Sequence, residues 1–294
     1  MMIISASRRT DIPAFYSTWF INRIRAGFCE VKNPFNPRQT SRVSLLPGDV
    51  DVIVFWTRNA LPMMQYLDEL DHLGYSYYFL YTVTPYEQDL DGKNPSLQKR
   101  IEGFAKLARR IGKAKVRWRY DPIVIGSKHD FRYHEEQFFY LTERLCEFTE
   151  SVIISFVDYY KKTLRNIAGL DEKFVRNPEQ LSGFARFVRN LVEIAESANL
   201  QIFSCAETRD LQKFGIQPGK CIDDELILRL FDKTVSQRKD PNQRKECGCV
   251  VSKDIGAYNT CLYNCRYCYA TSGYEIAKKH YARHDPDSPS LVHF

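Results

Sequence analysis

No stretch of this 294-residue chain approaches the ~20 consecutive apolar residues that cross a bilayer, so no membrane span is expected. The opening MMIISASRRTDIP lacks the basic-then-apolar order of a secretory leader: its apolar run is short and its arginines follow it. Internal repeats and low-complexity tracts are also missing, which excludes solenoid arrays and long disordered arms. No GxGxxG follows the first apolar run, so nothing marks a dinucleotide-binding fold. Charge of one sign is not concentrated anywhere. The 42 basic and 36 acidic residues leave a formal charge of +6, and the basic ones are dispersed (RRT, RIR, KLARRIGKAKVRWR, KKTLR) as on a solvated surface. That surplus leaves room for a phosphate-bearing or nucleic-acid partner without arguing for one. A cytoplasmic protein is the expectation.

What is present is a rhythm. Short apolar runs read as fully buried strands: MIISAS (2–7), DVIVFWT (51–57), SYYFLYTVT (76–84), KVRWRY (115–120), SVIISFV (151–157) and LQIFSCA (200–206). Between them lie stretches with helical spacing, several ending at Gly or Asn, the residues that tolerate a left-handed helix end. Uniformly apolar strands alternating with amphipathic helices predict a parallel sheet covered by helices. Six such units predict a (β/α) TIM-like barrel, complete or partial, with a doubly wound open sheet as the alternative. After residue 208 the rhythm breaks. The expected organisation is a barrel core over 1–208 and a C-terminal cysteine-bearing segment over 209–294, packed on the core as one unit because so few loop-rich residues bury little alone.

Ligands of such folds bind beyond the carboxyl ends of the strands. Those ends read SRRTD (7–11), WTRN (56–59), TPYE (84–87), RYDP (119–122), VDYY (157–160) and CAET (205–208), and each carries a charge. Arg8, Arg9 and Asp11 ride a loop before Pro13, where arginine offers a fork for carboxylate or phosphate. An Arg–Asp pair that merely holds the loop is the alternative. Arg119, Asp121 and Glu207 are further ionisable candidates at predicted strand ends. Trp56 and Tyr86 suit stacking on an adenine or a base, though aromatics of this kind are more often core.

Nine cysteines in a reducing compartment argue against a disulfide framework, and seven of them follow residue 200, a crowding that suggests metal ligation. Cys261-x3-Cys265-x2-Cys268 supplies three thiolates with no fourth Cys or His close behind. Three thiolates fill three corners of a cubane cluster and leave one iron open, whereas a structural zinc site pairs two CxxC knuckles. A 4Fe-4S cluster is the first reading and zinc the second. Cys205, Cys221, Cys247 and Cys249 are enough for a second site, zinc or a fully ligated cluster; the alternative is a tight turn at Cys247-Gly-Cys249 with the other two as buried small hydrophobes. Cys29 and Cys146 lie on predicted amphipathic helices and read as core.

Tyr267 precedes the last cysteine, and Cys-x3-Cys-x-aromatic-Cys resembles the cluster loop of the radical S-adenosylmethionine (SAM) enzymes. The continuation YCYA, running into TSGYEIAKKHYARH, is similar to that loop entering its first helix. The resemblance implies that Cys261, Cys265 and Cys268 hold the cluster, that its open iron chelates SAM, and that a reducing electron donor is a partner. Two departures stand beside it. The motif normally follows the first strand, and here it follows six strand–helix units, as in a permuted barrel whose missing strand comes from VVSKDIGAY. There is also no Gly-Gly-Glu or Gly-Gly-Asp after the second strand to hold the SAM amino group. Taken whole, the chain resembles family 1848 of the domains of unknown function, through SASRRTDIPAFYSTWF, NPFN, VDVIVFWTRN, WRYDPI, SCAE, KCID, CGC, SKDIGAYNTC and CRYCYA. The resulting expectation is an enzyme that cleaves SAM reductively to start radical chemistry on a substrate the sequence does not name. The alternatives are a non-catalytic zinc or iron–sulfur barrel protein and a nucleic-acid-directed enzyme, the latter because CRYCYA is similar to the cluster loop of spore photoproduct lyases.

Overall fold

The structure, a computed structural model, describes residues 1–34 and 36–292. All six apolar runs form strands: β1 (Met2–Ala6), β4 (Val50–Thr57), β5 (Tyr77–Thr82), β6 (Val116–Ile123), β7 (Ser151–Phe156) and β8 (Gln201–Cys205). Three further strands were not foreseen: the antiparallel hairpin β2 (Phe28–Asn33), which carries Cys29 where a helix was expected, and β3 (Asn36–Ser44), and the short β9 (Gln217–Gly219); the short β10 (Lys253–Asp254) lies in VVSKDIGAY, the segment expected to supply a strand. The expected helical stretches appear as α2 (Ser17–Ala26), the broken pair α3 (Leu61–Met64) and α4 (Leu67–His72), α6 (Leu97–Ile111), α7 (Phe131–Leu145), α9 (Phe184–Ser197), α10 (Asp224–Phe231) and α11 (Tyr274–Ala282). Shorter helices fill connections: α1 (Ile12–Phe15), α5 (Gln88–Asp91) and α8 (Lys161–Ile167). Local chemistry sets several ends. Gly27, at φ 75°, closes α2, and Asp130 accepts from Tyr133 N at 2.8 Å to start α7.

The main sheet has eight parallel strands in the order β10-β1-β4-β5-β6-β7-β8-β9. From β1 to β8 each strand of this sheet lies beside its predecessor, so right-handed crossovers all fall on one face. This is winding in a single direction and not the doubly wound alternative. Side-chain alternation shows the result. Ile53, Phe55, Tyr77, Phe79 and Trp118 join the helix-side core, while Ile3, Val52, Val54, Leu80 and Ile153 face the other way. Burial on both faces is what made the runs continuously apolar. The helix-side core is tied by aromatic stacks, Phe55 on Phe79 at 4.6 Å and Trp118 on Phe138 at 5.2 Å. Each such buried ring contributes roughly 1.5–3 kcal/mol.

A complete barrel does not form. Among the described residues the sheet is open, with β10 and β9 as its edges. The physical reason is that its second face is covered from within the C-terminal segment instead, by Ile222, by Leu226 and Ile227 of α10, and by Cys247, Cys249 and Val250. That segment contributes β9 and β10 to the sheet and returns to the N-terminal part: Trp19 Nε1 donates to Ser288 O at 2.9 Å, and Glu30 N to Pro289 O at 2.8 Å. No helix among the described residues is long and apolar enough to cross a membrane.

Candidate functional site

The end of the chain meets its beginning at β10, where Ile4 pairs with Lys253 and Ser5 with Asp254. The segment VVSKDIGAY therefore lies where a strand beside β1 was expected. Asp254 fixes the junction by accepting from Ser5 Oγ at 3.0 Å, Ser7 Oγ at 2.7 Å and Arg8 N at 2.8 Å. Two residues on, only glycine fits: a Cβ at Gly256 would stand 2.0 Å from Ser7 Oγ. The chain then enters the 261–268 loop at the carboxyl end of the sheet and continues into α11.

That loop is clamped by the connection between β5 and α6. Lys93 N donates to Tyr263 O at 2.6 Å and Arg266 N to Leu90 O at 2.8 Å. Gly92, at φ 64°, permits the approach, since a Cβ there would lie 2.4 Å from the carbonyl oxygens of Tyr263 and Asn264. Asn94 Nδ2 donates to Cys265 Sγ at 3.2 Å, and Ala270 N to Cys268 Sγ at 3.3 Å. Tyr267, the aromatic of the motif, points its hydroxyl at a buried carboxylate, donating to Asp91 and accepting from Arg58 Nη2 at 2.6 Å. Asp91 is itself paired with Arg58 Nη1 at 3.2 Å and Arg100 Nη1 at 2.7 Å. Arg58, Asp91 and Asn94 were not singled out from the sequence. Arg58 stood in the strand end WTRN, but Asp91 and Asn94 belong to a turn, DGKN, whose only signal was its glycine.

The three motif thiols are free and half-buried. Burial, and then the proximity of Cys265 and Cys268, hold the Cys261 thiol well above its ordinary range. Burial pushes Cys265 up to about 11, opposed by the positive charge of Arg58. Three soft donors on one loop, two of them accepting N–H bonds of the kind that stabilise metal-bound sulfur, fit an iron–sulfur cluster. Among the described residues no three His, Cys, Asp or Glu side chains stand at the spacing of a single bound ion. A cubane separates its thiolates more widely than one ion does, so this spacing bears on zinc at the loop more than on a cluster.

The motif cysteines open on a cavity of about 980 Å3 at the carboxyl ends of the strands. Arg8, Arg9, Asp11, Arg119 and Asp121 line it, as do Cys205, Cys221, Cys247 and Cys249. The pleat explains part of this: Val116, Trp118 and Tyr120 face the helices, which turns Arg119 to the other side. Arg8 and Arg119 both stack on Trp56, at 5.1 and 4.9 Å from its ring centre. Arg119 pairs with Asp121, which also accepts from Ser155 Oγ, while Arg119 Nε is buried and has no acceptor among the described residues. Arg9 lies over Tyr258 at 5.2 Å. Asp11 is a brace, accepting from Ala14 N at 3.0 Å, Thr57 Oγ1 at 2.8 Å and Arg58 N at 2.7 Å. Burial pushes its carboxyl up to about 7 against the pull of those donors.

Two candidates sit elsewhere. Glu207 does not line the cavity; it accepts from Phe156 N at 3.0 Å and pairs with Arg209 Nη1 at 2.7 Å, bracing the ends of β7 and β8. Tyr86 is core, its hydroxyl bonded to Pro122 O and Val124 N, both at 2.8 Å.

Residues 3–270 match the family described as Domain of unknown function (DUF1848). The chain belongs to that family. The match takes in the strands of the DUF1848 sheet, the polar strand ends and all three motif cysteines, so site and fold fall within one family unit. No curated protein and no solved structure matches the chain.

Proposed function

We propose that this DUF1848 protein is an iron–sulfur enzyme of the radical SAM type, working in the cytoplasm with a reducing electron donor. Its open sheet is read as a partial (β/α) barrel whose chain begins one unit late. The observation that carries the reading is the unit β10, cysteine loop, α11, set beside β1 so that three free thiols open on the cavity at the carboxyl ends of the strands. When bound and reduced, a cluster on Cys261, Cys265 and Cys268 supplies the electron that cleaves a carbon–sulfur bond of SAM.

The chain's own residues have separable tasks. Asn94 and the Ala270 amide hold the thiolates by N–H···S bonds, and Arg58, tied to Tyr267 and Asp91, adds positive charge beside Cys265. Arg119 Nε and the Arg9 guanidinium offer donors to the carboxylate of SAM or to an anionic group of the substrate. Anaerobic protein, supplied with dithionite and SAM, is expected to form 5′-deoxyadenosine, and Cys265→Ala to abolish it. Protein carrying the cluster but forming none would overturn the reading.

A further inference from the structure

We propose that Cys205, Cys221, Cys247 and Cys249 form a second metal centre, closed by four thiolates and holding zinc or iron–sulfur, in the same cavity as the 261–268 loop. This centre does not depend on what that loop binds.

Its four sulfurs come from three distant segments: the carboxyl end of β8, the loop after β9, and the turn at 247–249. Cys205 Sγ lies 3.3 Å from Cys221 Sγ, and Cys247 and Cys249 line the same cavity beside them. Tetrahedral metal–sulfur bonds of ~2.3 Å place neighbouring sulfurs ~3.8 Å apart; the first pair stands near that, but no three of the sulfurs are at the spacing of a bound ion, so binding draws the 247–249 turn inward. Glycine makes part of the convergence possible. A Cβ at Gly219, which pairs with Cys205, would stand 2.7 Å from Phe203 Cβ.

The four cysteines pack on the apolar face of the sheet with Ile222 and Val250, but charge and donors also meet them. Ile222 N donates to Cys249 Sγ at 3.3 Å. Arg8, whose Nη2 is buried without an acceptor among the described residues, brings positive charge to Cys249, and Arg119 brings it to Cys205 and Cys221. Four thiolates around a divalent ion carry about two negative charges in excess, which two guanidiniums offset. Metal binding replaces the protons of the thiols, which leave to solvent. All four cysteines are free, so no disulfide competes.

The test counts iron, zinc and acid-labile sulfide in anaerobically purified protein, in C261A/C265A/C268A and in C247S/C249S. The first variant is expected to retain about one zinc per chain or about four irons with as many sulfides. The second is expected to lose that complement and keep the rest. A folded C261A/C265A/C268A protein with no metal overturns the proposal, and so does a C247S/C249S protein whose metal content equals the parent's. If one variant fails to fold, by far-ultraviolet circular dichroism, the other decides. Metal lost only from the first variant leaves the radical SAM reading standing and this one overturned; metal lost only from the second does the reverse.

Discussion

Asp91→Asn removes one charge from the point where the cysteine loop is anchored. The Asp91 side chain is 3% exposed, and its partners Arg58 and Arg100 are 11% and 2% exposed. Asparagine keeps the shape, but two guanidiniums lose their counter-charge in a site that water does not reach. Breaking a buried pair from one side costs about 3–5 kcal/mol, since a charge is left uncompensated. That is a large share of the ~5–15 kcal/mol by which a domain is stable. The Tyr267 hydroxyl also loses its charged acceptor, so Tyr267→Phe should cost less, about 1.5–3 kcal/mol. Anaerobic urea unfolding of parent, D91N and Y267F measures both losses. A thiol-reactive probe measures a second effect, faster modification of Cys265 in D91N as the loop loosens. A D91N loss below about 1 kcal/mol, with Cys265 reactivity unchanged, refutes the argument that this carboxylate anchors the loop.

His134 accepts or shares a hydrogen bond with Tyr120 at Nδ1 (2.8 Å) and reaches Val124 O through Nε2 (3.0 Å), an arrangement satisfied by the neutral ring donating from Nε2. Burial lowers its pKa from 6.5 to about 4. The unfolded chain therefore takes a proton below about 6.5 that the folded chain refuses until about 4, so this contribution is full above that window and falls as pH drops through it, by up to roughly 3 kcal/mol. H134Q should flatten that part of a stability–pH curve; an unchanged slope contradicts the assignment. Gly92→Ala should cost about 1–3 kcal/mol for its positive φ and more for the clash with the loop carbonyls. Gly74→Ala, also at positive φ but with nothing within 4 Å, carries only the first cost, and equal losses in the two variants would dismiss the close approach.

The strands of the main sheet were legible because both of their faces are buried, which leaves a run such as SYYFLYTVT almost without polar interruption. The hairpin over 28–44 was not, since KNPFNPRQTSRVS carries prolines and charges and one of its strands lies largely exposed. At two residues, β10 is shorter than any periodicity can register, although the sequence named the segment that holds it. The motif cysteines announced themselves by spacing alone. Their anchor did not: nothing local to Asp91 says that its carboxylate meets Arg58, Arg100 and Tyr267, because those contacts cross 33, 9 and 176 positions. Glu207 illustrates the opposite case. A charge at a strand end is compatible with catalysis or with bracing, and here the neighbouring Arg209 and the Phe156 amide take it up.

The most direct test of the central claim is electron paramagnetic resonance of the anaerobic, dithionite-reduced protein with and without SAM. A reduced 4Fe-4S signal with a component that changes when SAM is added, that component being lost in C261A/C265A/C268A, is the predicted result. A loop that carries zinc without sulfide, or a cluster signal that SAM leaves unmoved, would contradict it.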